Sequence, residues 1–192
     1  MPTNYMPGVI KIFEYYKSLG EKTLDIFPEE KINWQFNEES NSMSTIVKHI
    51  TGNMLSRFTD FLTTDGEKEW RNREDEFRQE TMSKKEMMDR WHQAWKLLFG
   101  VLNNLKEEDL DKTVYIRNMG QTVTDALNRQ VGHYAYHIGQ MVYLGKMIMD
   151  NEWKSLSIPK GGSADYNAAK FSQPPHQENF SDEFLKRNDI GN

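Results

Sequence analysis

Between Ser42 and Thr63 the apolar residues Met43, Ile46, Val47, Ile50, Met54, Phe58 and Phe61 recur three and four positions apart, the repeat of a helix with one buried face. Ser42 stands just ahead of it as a cap. The same repeat predicts three further helices. One runs from Pro7 to Phe27 and stops at Pro28; one runs from Thr81 or Ser83 to Leu105 and carries Met87, Trp91, Trp95, Leu98 and Leu102. The last, from Thr122 to Met149, is the most regular. Between the second and third helices, "TTDGEKEWRNREDEF" is polar enough to be a loop. Ahead of the last helix, "TVYI" has β character and "RNMG" suits a turn, which predicts a small hairpin. After it comes a stretch rich in Gly, Pro, Ser and Asn, read as a tail across the surface that is ordered in part, its last dozen residues loose or a short helix. The pattern therefore predicts an all-α four-helix bundle over residues 1–150 and an irregular tail over 151–192.

Polar residues sit on these helices in a revealing register. On a wheel of ~100° per residue, His49 falls at one edge of the apolar face of the second helix, followed by Asn53, Ser56 and Asp60 in a polar stripe. In the last helix the apolar face is set by Val123, Leu127, Tyr134, Ile138, Met141 and Leu144. His133 and His137, four residues apart, project at its margin, with Gln130 one turn before them. Three imidazoles can thus meet at the border of the interior. Alone, an HxxxH pair leaves two readings open: a metal site, or two partly buried histidines hydrogen-bonded to their neighbours. "HYAYH" lacks the glutamate of the HExxH metalloproteases, so that chemistry is set aside. His92 and His176 read as surface residues, and the stripe from His49 to Asp60 also fits the solvated flank of a helix.

Composition narrows the chemistry. The chain of 192 residues has no cysteine, which excludes disulfides, thiolate zinc sites, iron–sulfur clusters and a cysteine nucleophile. Any metal must be held by histidine and carboxylate. Three neutral imidazoles suit Zn²⁺, Ni²⁺, Fe²⁺ or Cu²⁺ and leave positions open for water or substrate. The 10 Phe, 8 Tyr and 5 Trp indicate a folded chain, and the net charge of −5 gives no support to nucleic-acid binding. No apolar run is long enough for a membrane span, and the first residues show no basic segment leading into an apolar one, so a cytoplasmic address is expected.

The blocks "IVKHITGNMLSRFTDFLTTDGEKEWRNREDEF" and "LNRQVGHYAYHIGQMVYLGKM", with "SIPKGGSADYN" in the tail, resemble the DinB/YfiT-like superfamily of four-helix-bundle proteins, and within it a bacterial branch without an assigned activity. The resemblance reaches to about residue 170. It implies a divalent transition metal, Zn²⁺ or Ni²⁺ foremost, on His49, His133 and His137. It also implies a homodimer, and an activity of one of two kinds. The first is transfer of a low-molecular-weight thiol, such as bacillithiol or mycothiol, to a small electrophile. There the sulfur arrives with the cosubstrate, in keeping with a cysteine-free chain, and Asn53, Arg57 and Gln130 are the expected substrate-binding residues. The second is hydrolysis of a small amide or ester, for which Asp60 and Asp65 are the nearest candidate bases; Asp60 lies about three turns from His49, too far to share its metal. A non-catalytic metal-binding module, with the charged loop as an interaction surface, is the remaining alternative.

Overall fold

The Ser42 hydroxyl accepts a hydrogen bond from the Thr45 amide and starts a helix at the residue the pattern predicts. The computed structural model describes residues 4–186. Along the chain it contains α1 (Tyr5–Ile26), α2 (Met43–Phe58), a single-turn α3 (Arg73–Glu76) and α4 (Lys84–Leu102). A hairpin of β1 (Thr113–Ile116) and β2 (Met119–Thr122) follows, then α5 (Val123–Met149), α6 (Ser163–Phe171) and α7 (Phe180–Lys186). The fold is mainly α, with one small antiparallel sheet.

Three of the long helices, α2, α4 and α5, start where a polar side chain satisfies an early amide. Ser83 and Glu86 form a reciprocal capping box at α4, and Thr122 accepts from the Asp125 amide at α5. Helix α1 begins two residues before Pro7, which stands in the first turn, where a missing N–H removes no helical bond. Helix α2 ends at Phe58 rather than Thr63. Thr59 turns extended and Asp60 takes a left-handed conformation (φ 49°), its carbonyl accepting from the amides of Thr63 and Thr64. Asp60 therefore leaves the polar stripe.

Helix α1 lies along α5 and α2 along α4, with α2–α5 and α1–α4 contacts joining the pairs. Their apolar faces meet in a core where Phe13, Phe58, Trp91, Trp95 and Tyr134 are fully buried. Trp95 stands edge-on to Phe13 at 6.5 Å and to Tyr134 at 6.0 Å. By burial alone each such ring contributes roughly 2–3 kcal/mol.

The hairpin turns on Arg117 and Asn118, both with positive φ (55° and 60°), the arrangement that matches strand twist in a two-residue loop. Neither is glycine, and Asp65 supports both: its carboxylate accepts from the amides of Arg117 and Asn118, each at 2.8 Å. The Gly66 amide donates to the Tyr115 carbonyl at 2.8 Å, so the loop after α2 is fastened to the hairpin.

Beyond α5 the chain crosses the surface and supplies two short helices. Lys11 of α1 pairs with Asp182 of α7 at 2.7 Å, and Tyr15 packs against Phe180 and Phe184. The expectation of a loose end bears also on residues 187–192, which lie outside the described residues. Among the described residues no helix is long and apolar enough to cross a membrane.

Candidate metal centre

Residues one turn apart share a helix face, so α2 presents His49, Asn53 and Arg57 in a row, and α5 presents Arg129, His133 and His137. Where the two rows meet, three ring nitrogens converge. Nε2 of His133 lies 3.2 Å from Nε2 of His49 and 3.1 Å from Nε2 of His137, and the three ligand atoms fall within 4.8 Å of one another. His49 and His137 are buried and His133 is half-buried.

The outward nitrogens of two rings have fixed partners. His49 Nδ1 lies 2.9 Å from Glu76 Oε2. Arg71 grips the same carboxylate from Nε at 2.8 Å and Nη2 at 2.9 Å. Burial pushes the Glu76 carboxyl up, but the bonds from His49 and Arg71 outweigh it and hold the group below its usual range. An ionised carboxylate only accepts, so Nδ1 of His49 carries a proton, and in the neutral ring Nε2 presents a lone pair. His137 Nδ1 likewise donates to Gln140 Oε1 at 3.0 Å. Gly52 makes room for this arrangement: a Cβ there would lie 2.4 Å from Glu76 Oε1.

These contacts test whether a metal fits. His133 Nε2 faces both lone pairs and can donate to only one of them. At least one of those lone pairs is therefore left without a donor. An added proton on either ring of α5 does not resolve it near neutral pH: burial, with His137 and His49 adding to it, lowers His133 to about 3, and burial lowers His137 to about 4. The donor set suits a borderline divalent cation, with Glu76 and Gln140 as the outer partners that metal-binding histidines generally have.

Phe77 lies against the His49 ring at 4.6 Å, and a cleft of about 500 Å³ opens over the imidazoles. Asn53, Arg57 and Gln130 all line it. Asn53 Oδ1 accepts from the Tyr134 hydroxyl at 3.2 Å. Arg57 is less available than a free clamp: its guanidinium donates to the Gly66 carbonyl and to Glu67 Oε2, and Ser56, read as a flank residue, is fully buried and bonded to the same carbonyl at 2.6 Å. Asp65 supports the hairpin and has no place as a base. The structure puts His92 and His176 at the surface.

The sequence reading did not pick out Glu76, Arg71 or Gln140. Gln140 follows His137 by three residues, a spacing that could have identified it. Glu76 and Arg71 stand in a loop of many charges, where nothing local distinguishes the buried pair.

A family model described as "Protein of unknown function (DUF1572)" matches residues 1–162. No curated protein matches the chain.

Proposed function

We propose, from the premise that the chain belongs to the family described as protein of unknown function (DUF1572), that it is a metal-dependent enzyme built on a DinB/YfiT-type four-helix bundle. Its activity on this reading is transfer of a low-molecular-weight thiol to a small electrophile. The observation that carries the proposal is the convergence of three Nε2 atoms, two of them, on His49 and His137, belonging to rings whose outer nitrogens are held from behind. The pairwise packing of α1, α2, α4 and α5 supports the bundle.

The residues divide the work. His49, His133 and His137 would hold a divalent ion, Zn²⁺ or Ni²⁺. Such an ion supplies Lewis acidity, lowering the pKa of a thiol or water presented to it. Glu76 fixes the His49 tautomer and brings negative charge behind its ring; Arg71 keeps Glu76 ionised and in place. Phe77 shields one side of His49 from solvent. Asn53 and Gln130 wall the open side. Thiol transfer is favoured over hydrolysis because Glu76, the carboxylate in contact with an imidazole, is already engaged by His49 and Arg71 and is not free to act as a base towards water.

The test is elemental analysis of protein purified without a histidine tag, beside His133→Ala/His137→Ala. About one equivalent of a transition metal is expected in the parent and none in the variant. The loaded parent should then accelerate addition of bacillithiol, mycothiol or cysteine to monochlorobimane, and the variant should not. No metal after incubation with Zn²⁺, Ni²⁺, Mn²⁺ and Fe²⁺ would sink the proposal.

A further inference from the structure

Five arginines, Arg57, Arg71, Arg73, Arg117 and Arg129, line the cleft over the imidazoles, and among the described residues its lining includes neither lysine nor carboxylate. The whole chain has eight arginines and a net charge of −5. Positive charge is therefore concentrated in one concavity of an acidic protein, and as guanidinium, whose planar fork fits a carboxylate or phosphate edge on.

Two carboxylates behind the wall offset part of that charge. Glu67 accepts from Arg57 and Arg117 and lies 3.6 Å from Arg71; Glu76 takes both forks of Arg71. Two guanidiniums keep capacity to spare. Arg73 rests over the Phe77 ring at 5.0 Å, its nearest carboxylate oxygen being that of exposed Glu74 at 3.4 Å. Arg129 is exposed and has no ion pair or hydrogen bond among the described residues. Beside it Gln130, only 4% exposed, has a side-chain carbonyl without a hydrogen-bond partner among the described residues. A buried acceptor left open in the wall of a cleft is able to take a hydrogen bond from a donor on a ligand.

The register gives these groups an order. Arg57 stands two turns after His49 on α2, and Arg129 one turn before His133 on α5. The end of α2 and the start of α5 both adjoin the hairpin, where Arg57 reaches the Gly66 carbonyl and Gly66 bonds to Tyr115. Both arginines thus lie on the hairpin side of the imidazoles.

We propose that the cleft takes a small molecule bearing an oxyanion, a carboxylate or a phosphate, that is received by Arg129 and its neighbouring guanidiniums about one helical turn, ~6 Å, from the imidazoles. An N–H or O–H of the same molecule donates to Gln130. This deepens the functional reading above, and rests on it only for what the other end of the molecule meets.

The test is calorimetric titration of the full-length protein, metal-free and loaded with one equivalent of Zn²⁺, with succinate, inorganic phosphate and neutral succinamide. Succinate or phosphate should bind both forms, the tighter of the two identifying the anion, and succinamide should bind neither. Arg129→Gln should weaken anion binding about tenfold with Zn²⁺ uptake unchanged, and Arg129→Lys should fall between the two. The inference is overturned if neither anion binds, if succinamide binds as well, or if Arg129→Gln binds like the parent. It is overturned equally if binding needs Zn²⁺ and disappears in His133→Ala alone, because the ion would then be the receptor. Failure of the metal reading shows separately, as absence of Zn²⁺ uptake by the parent with anion binding intact.

Discussion

At the scale of single residues, the imidazole cluster depends on a side chain that never enters the cleft. Glu76 accepts from His49 Nδ1 and from Arg71, and so decides which nitrogen of His49 faces inward. Glu76→Gln keeps an oxygen for His49 but removes the charge and sets an amide N–H₂ against the Arg71 guanidinium. Metal affinity should fall about 10- to 100-fold in the variant, measured by competition with a chromophoric chelator, while the far-ultraviolet circular dichroism stays that of the parent. An unchanged affinity would reduce Glu76 to a partner of Arg71. The three histidines were legible in the sequence because imidazole is scarce and its spacing on α5 is helical. Glu76 was not, since "EKEWRNREDEF" offers several carboxylates of equal standing, and only the three-dimensional approach of Gly52 to the loop selects one.

At the scale of elements, the starts of α2, α4 and α5 were readable, because Ser42, Ser83 and Thr122 are cap residues placed directly before an apolar repeat. The end of α2 was not. The apolar spacing runs on through Phe61, while the backbone turns at Asp60, a residue whose left-handed conformation no periodicity reveals. The hairpin was legible as strand and turn, but its support was not, since Asp65 is about fifty residues from the turn it holds. Arg117 and Asn118 occupy positions that favour glycine, so the two bonds from Asp65 offset a conformational cost. Asp65→Ala should lower the free energy of unfolding by about 1–2 kcal/mol in urea titrations. Adding Asn118→Gly should recover part of the loss. No recovery would mean that Asp65 acts on the 59–77 loop and not on the turn.

At the scale of the molecule, net charge concealed what local charge provides. A total of −5 argues against polyanion binding by the surface as a whole, yet five arginines from α2, the 59–77 loop, the hairpin turn and α5 face one cleft. They are scattered between positions 57 and 129, so no run of basic residues announces them. Position along the chain matters for the imidazoles as well. His49 and His133 are 84 residues apart, with the loop, α4 and the hairpin between them. Such a contact closes a long stretch of chain, whose entropy is lost before the contact rewards it, and it is expected to form late on the route to the native state. A cation that needs all three rings has nothing to grasp in an early, partly collapsed ensemble. Stopped-flow experiments should therefore find that saturating Zn²⁺ slows unfolding and leaves the refolding rate nearly unchanged. A faster refolding rate would instead mean that α2 and α5 meet before the rest of the protein has formed.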